Sequence, residues 1–134
     1  MHRALRETIS YELSTKGVRI SPALIPLLGY LSVRKGGPVS QREMADVLEF
    51  DRHRTSRAVK ELTDAGWLSI EPNPENRREN MVSTTQSGRE LCTILGESAR
   101  AAMAKAFAGC PNEDIETTLY TLKQILNNLS DYEH

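Results

Sequence analysis

The chain has few of the residues on which catalytic, metal-binding and secreted domains depend. Among 134 residues there are two cysteines, three histidines and seven aromatic residues. Cys92 and Cys110 are too few for a disulfide framework, and neither belongs to a CxxC pair. His2, His53 and His134 lie far apart, so the spacing of a zinc site is absent and neither a metal nor a cofactor is expected. No nucleophile–base pair and no phosphate-binding glycine loop stands out, so no catalytic residue is assigned and the chain reads as a non-enzyme. The longest apolar run falls well short of the roughly 18 residues of a membrane helix. The opening "MHRALRETIS" also lacks the apolar centre of a signal peptide. A cytoplasmic protein without membrane association is expected. The shortage of aromatics points to a mainly aliphatic core.

What is present is ordinary in amount but uneven in distribution. Hydrophobic residues make up 39% and charged residues 26%, as in a soluble globular domain long enough to bury a core. The net charge is -1, yet residues 111–134 carry one lysine against five acids. Residues 34–60 hold seven Lys/Arg against four Asp/Glu, so a basic face coexists with an acidic tail.

Periodicity and punctuation give a mainly helical order. "ALRETISYELSTK" reads as a short first helix with Leu5, Ile9 and Leu13 on one stripe. Ser21-Pro22 opens a second helix, with Ser as N-cap and Pro at the first helical position. That helix is expected to reach Lys35 and stop at Gly36-Gly37-Pro38, and Pro26 should make its first turn irregular. "SQRE" (Ser40–Glu43) has the form of a capping box for a third helix, and Asp51 is a good N-cap for a fourth that ends at Gly66. Two helices joined by a short turn make a helix-turn-helix candidate. Then the period changes. "WLSIE" and "NMVSTT" read as strands around the turn-rich "PNPENRRE", forming a hairpin with arginines at its tip. Thr85 caps a long helix ended by Gly109 and Pro111. A last helix follows, with Ile115, Leu119, Leu122, Ile125, Leu126 and Leu129 in helical period. These two helices carry apolar stripes that need a surface to pack against.

The fourth helix contains "DRHRTSRAVK" (Asp51–Lys60), with three arginines, a lysine and a histidine in ten residues. At about 100° per residue, Thr55, Val59, Leu62 and Ala58 fall on one stripe and should be buried. His53, Ser56, Arg57 and Lys60 fall opposite, flanked by Arg52 on one side and Arg54 on the other. Solvated helix faces usually alternate charge to form i, i+4 pairs. The first three turns here carry cations and hydroxyls instead, near a helix N-terminus where cations work against the dipole. That pattern suits contact with a polyanion. Arg77 and Arg78 on the hairpin add a second hint, because they can pair with phosphate or enter a narrow groove. A polar turn with both arginines paired to Glu75 and Glu79 is the plainer alternative.

From Val39 to Leu91 the chain closely resembles the MarR family of winged helix-turn-helix transcription regulators. The family's helix end, "DP-x-DRR" wing and "S-x-T-x-x-G" are matched in order by "LTDAGWLSIEPNPENRRENMVSTTQSG". The resemblance implies a mainly α fold with a small β-hairpin wing: an N-terminal helix in 1–20, a winged helix-turn-helix in 21–86 and C-terminal dimerisation helices in 87–134. It implies a homodimer on pseudo-palindromic double-stranded DNA, with the first and last helices forming the dimer interface. By position, His53, Arg54, Ser56 and Arg57 match recognition-helix contacts, Ser40 and Gln41 the phosphate-facing start of the preceding helix, and Arg77 and Arg78 the wing arginines. Arg52 and Lys60 join them from the face arithmetic. The family's two wing aspartates are Asn73 and Asn76 here, which questions the bracing of the wing. The short first helix suggests a dimer resting more on the C-terminal helices.

The resemblance further implies repression relieved by a small aromatic or anionic effector. Leu24, Leu27, Leu28, Tyr30 and Leu31 are the candidate lining, although core packing explains them as well. Cys110, at a helix end, is the candidate for thiol sensing, whereas Cys92 reads as core. A winged helix used for protein–protein contact is the rival function, but it would not need cations on helix and wing together.

Overall fold

A computed structural model describes residues 2–34 and 37–130, which include six α-helices and a three-stranded antiparallel sheet. Lys35 and Gly36, where the second helix was expected to end, lie outside the described residues. The chain divides into one compact unit over residues 1–102 and a second over 103–134.

In the first unit, α1 spans His2–Thr15, two residues earlier at its start than the stretch read from the sequence. Its stripe buries Ile9 and Leu13, with Leu5 half-buried. Ser21 Oγ accepts the Ala23 N–H and opens a 3-10 turn at Pro22–Leu24, before α2 runs Ile25–Val33. The irregular start expected from Pro26 is therefore a 3-10 turn, since the proline cannot donate to the ladder. Leu24, Ile25, Leu27 and Leu28 are buried with the α1 stripe in the same core.

The strand β1 (Val39–Ser40) precedes α3 (Gln41–Leu48). Two residues are too short for a period to show, so this strand is not among the elements read from the sequence. Ser40 Oγ caps α3 by accepting the Glu43 N–H at 3.0 Å. Of the apolar residues in α3, Met44 is buried and Val47 is exposed. Helix α4 spans Arg52–Asp64. It ends in a Schellman-type closure, with the Trp67 N–H donating to Leu62 O and the Gly66 N–H to Thr63 O. Gly66 has φ 84°, the left-handed conformation that closure requires.

The wing strands are longer than expected: β2 covers Leu68–Asn73 and β3 covers Asn76–Thr84, leaving Pro74-Glu75 as the turn. β3 is central, pairing Val82 with Val39 on one side and Ile70 on the other. Helix α5 spans Gln86–Ala106. Thr85 links it to the sheet by accepting the Gly88 N–H and donating its hydroxyl proton to Gly66 O at 2.7 Å. Gly88, Leu91, Leu95, Ser98 and Ala102 of α5 are buried. This helix thus completes the core of the first unit as far as Ala102, where that unit ends. Among the described residues, seventeen buried hydrophobic residues form that core, and none of these is aromatic.

In the second unit, Gly109 has φ 80° and the Cys110 N–H donates to Phe107 O. Helix α6 (Asn112–Ser130) follows and has no buried residue. No described helix is long and apolar enough to cross a membrane.

Candidate nucleic-acid interface

The fourth helix is anchored by the stripe its spacing predicts. Thr55, Ala58, Val59 and Leu62 are all buried. Thr55 is the polar member, and its hydroxyl donates to Asp51 O at 3.0 Å, so no buried polar group is left unpaired there. Asp51 Oδ1 accepts the Arg54 N–H at 2.7 Å and caps the helix. With this stripe fixed, Arg52, His53, Arg54, Ser56, Arg57 and Lys60 are all exposed.

These cations differ in how free they are. Lys60 Nζ lies 2.8 Å from Asp64 Oδ2, the acid one turn on along the same side of the helix. The hydrogen bond to Asp64, together with its negative charge, raises the lysine above its ordinary range. Both groups are largely exposed, and an i, i+4 pair of this kind opens cheaply when a stronger anion arrives. Glu61 also lies on the exposed surface of α4, one turn beyond Arg57. Arg54 stacks over the Phe50 ring at 3.7 Å from guanidinium carbon to ring centroid.

A groove separates α3 and α4 from the wing. Gln41, Arg52, Ser56 and Arg78 line it, together with Arg42 and Asn80. Asp46, Asp51 and Glu79 also border it, but Asp51 is engaged as the N-cap and Glu79 accepts the Asn73 amide at 3.2 Å. Gln41 Oε1 accepts from Asn80 Nδ2 at 3.2 Å, tying the start of α3 to the wing. Ser40 is half-buried, with its hydroxyl spent on capping.

Arg77 and Arg78 are not in the turn, as the sequence suggested, but in β3 immediately after it. The strands extend further because Asn73 and Asn76 organise the turn. Asn73 Oδ1 accepts the Glu75 N–H, and Asn76 Oδ1 accepts the Arg78 N–H. The two asparagines therefore brace the backbone of the wing turn, although the family's aspartates are missing there. Among the described residues neither Arg77 nor Arg78 forms an ion pair, so pairing to Glu75 or Glu79 is not observed. Successive strand residues point to opposite faces, and only Arg78 borders the groove.

Three contributors escaped the sequence reading. Arg42 was hidden inside the "SQRE" capping signal, and Asn80 looked like an ordinary strand residue. Phe50 looked like a helix end, although its four-residue spacing from Arg54 was a usable sign.

The other candidates lie elsewhere. Leu24, Leu27 and Leu28 are closed into the core, while Tyr30 and Leu31 are half-buried. Leu31 also borders a small recess with Arg34, Val82, Ser83 and Arg89. Cys110 is exposed, and Cys92 is half-buried with burial pushing its thiol up.

A cation-bearing helix set beside a braced hairpin agrees with comparison to known proteins. A MarR family model matches residues 20–79. Over that stretch the chain is similar to the MarR family. The uncharacterized HTH-type transcriptional regulator YybA of Bacillus subtilis is 24% identical over 97 residues, covering 72% of this chain and 65% of that protein. The multiple antibiotic resistance protein MarR of Salmonella typhimurium is 27% identical over 99 residues, covering 71% and 67%. Such matches span about two thirds of the relatives' own length. The crystal structure of a MarR transcriptional regulator from Methanosarcina mazei superposes with a TM-score of 0.83 at 20% identity, covering 97% of this chain and 91% of that one. The likeness to that structure shows the winged-helix fold.

Proposed function

We propose that this chain is a regulator of the MarR type, a homodimer that binds a pseudo-palindromic double-stranded DNA site in a sequence-specific way, most simply as a repressor. One observation carries the reading: Arg52 and Ser56 of α4 share a groove with Arg78 of the wing, beyond a buried stripe that fixes the helix. His53 and Arg57, exposed on the outer side of α4, are positioned to read base edges in the major groove. Gln41, Arg77 and Lys60 supply phosphate contacts, and Ser40 holds the start of α3 in place.

Dimerisation is supported by α6. Ile115, Leu119, Leu122, Leu126 and Leu129 recur at alternating spacings of four and three, the a/d pattern of a helix that packs along a partner. The last four are 52–63% exposed. An apolar seam of this length on an otherwise polar helix marks a contact surface. A small aromatic or anionic effector would release the DNA. Among the five candidate residues, Leu31 is the one beside a recess with exposed arginine nearby, whereas Leu24, Leu27 and Leu28 serve the core.

Selecting bound sequences from a randomised duplex pool tests the reading. The expected product is a two-fold symmetric motif with half-sites about one helical turn apart. A pool that shows no enrichment would favour the protein–protein module instead.

A further inference from the structure

Phe50 borders the groove beside the wing, and Arg54, which does not line it, stacks on the Phe50 ring. Phe50 sits in the turn between α3 and α4, where its backbone is fixed. Glu49 adopts φ 55°, ψ 38°, and the Phe50 N–H donates to Ala45 O at 2.9 Å. The ring is therefore attached to a closed helix end, a rigid base for a side chain that is only half-buried. The Arg54 guanidinium lies over it at 3.7 Å. Among the described residues that guanidinium makes no hydrogen bond or ion pair, so its in-plane N–H donors are unspent. Stacking covers one face of the cation and leaves those donors aimed outward in a single plane, the geometry that meets two acceptor oxygens at once.

We infer that Phe50 is a positioning residue that holds Arg54 as a clamp for one DNA backbone phosphate. The inference rests on the DNA-binding reading. A phosphate is favoured over a base edge because of where Arg54 stands. A helix about 10–12 Å across nearly fills a major groove about 12 Å wide. Residues at its outward centre then meet bases, and residues on its flanks meet the walls. Arg54 lies about 100° of helical rotation from His53 and does not border the groove shared with the wing. It therefore addresses a backbone phosphate at the flank of the helix, not a base edge at its outward centre.

Four variants of the full chain, measured on a selected duplex and on random duplex across a salt series, decide the matter. Arg54→Ala should weaken binding to both duplexes by a similar factor and reduce the salt slope by about one. Phe50→Leu keeps the charge, so it should weaken binding about two- to fivefold with the slope unchanged. Phe50→Tyr keeps the stack and should bind like the parent. In Phe50→Leu/Arg54→Ala the loss should equal that of Arg54→Ala alone. If Phe50→Leu loses its helical circular dichroism, Phe50→Met preserves the apolar volume and carries the same expectation. Parent-like binding by Phe50→Leu, or a further loss in the double variant, would overturn the positioning role. A changed base preference in Arg54→Ala would overturn the phosphate assignment. A parent protein that binds neither duplex would overturn the DNA-binding reading itself.

Discussion

The Trp67 carbonyl oxygen lies 2.0 Å from the point where a Cβ on residue 88 would stand. Gly88 is thus required by close approach, at the junction where the sheet hands the chain to α5. The same carbonyl accepts the Thr85 N–H at 3.1 Å, and Thr85 Oγ1 accepts the Gly88 N–H. The spacing Thr-x-x-Gly therefore encodes two hydrogen bonds and one steric exclusion. That gives a physical meaning to the tail of the "S-x-T-x-x-G" pattern.

Gly88→Ala sets two effects against each other. Replacing a helical glycine by alanine contributes about 1 kcal/mol of propensity. Forcing a methyl into backbone costs up to about 3 kcal/mol, because a carbonyl held by Thr85 cannot swing away as a flexible side chain can. The clash wins. The melting temperature should fall by roughly 3–8 °C, as read by circular dichroism. An unchanged or raised melting temperature would show that the junction yields more easily than its hydrogen bonds suggest.

Arg57→Ala separates binding from folding. The side chain is exposed and forms no ion pair among the described residues, so stability should change by less than about 0.5 kcal/mol. Its loss should nevertheless reduce affinity for the selected site by about tenfold or more, with relaxed preference at one base position. Gel shift and thermal melting on the same preparation check both halves. Equal binding by parent and variant would remove Arg57 from the interface.

The wing gives a prediction in salt. Arg77→Ala combined with Arg78→Ala should weaken binding and lower the salt slope by roughly one to two. The single variants should differ, because only Arg78 borders the groove with Arg52 and Ser56. Identical single variants would contradict the opposite orientations that neighbouring strand residues impose.

How much of this was legible in the sequence depended on the length over which a signal repeats. The buried stripe of α4 was readable in full, because Thr55, Ala58, Val59 and Leu62 repeat a helical period and Asp51 marks its start. The irregular opening of α2 followed from Pro26 alone. β1 was invisible because it has two residues and is defined by its partner, Val82 pairing with Val39. Arg77 and Arg78 were misplaced for a related reason. Turn-forming asparagines and proline dominate the local composition, while the ladder that extends β3 comes from pairing across the hairpin. The Lys60–Asp64 pair follows from i, i+4 arithmetic, which sets Asp64 one turn on along the same side of the helix.

The seam on α6 yields the last prediction. Leu122 and Leu126 sit at consecutive seam positions, one turn apart, and are 52% and 63% exposed in the single chain. Leu122→Glu with Leu126→Glu places two carboxylates where the proposed partner helix would have to bury them. An unpaired charge moved out of water costs several kcal/mol, more than a modest helical interface supplies. Within a lone helix the same changes are harmless, since neither side chain is buried and glutamate is a good helix former. Light scattering should therefore report a dimer near twice 15.0 kDa for the parent and a monomer for the variant, with helical circular dichroism retained. DNA affinity should fall steeply, because a single winged helix engages one half-site and forfeits the second. A variant that stays dimeric would move the interface away from this seam, and a parent that is monomeric would remove the need for one.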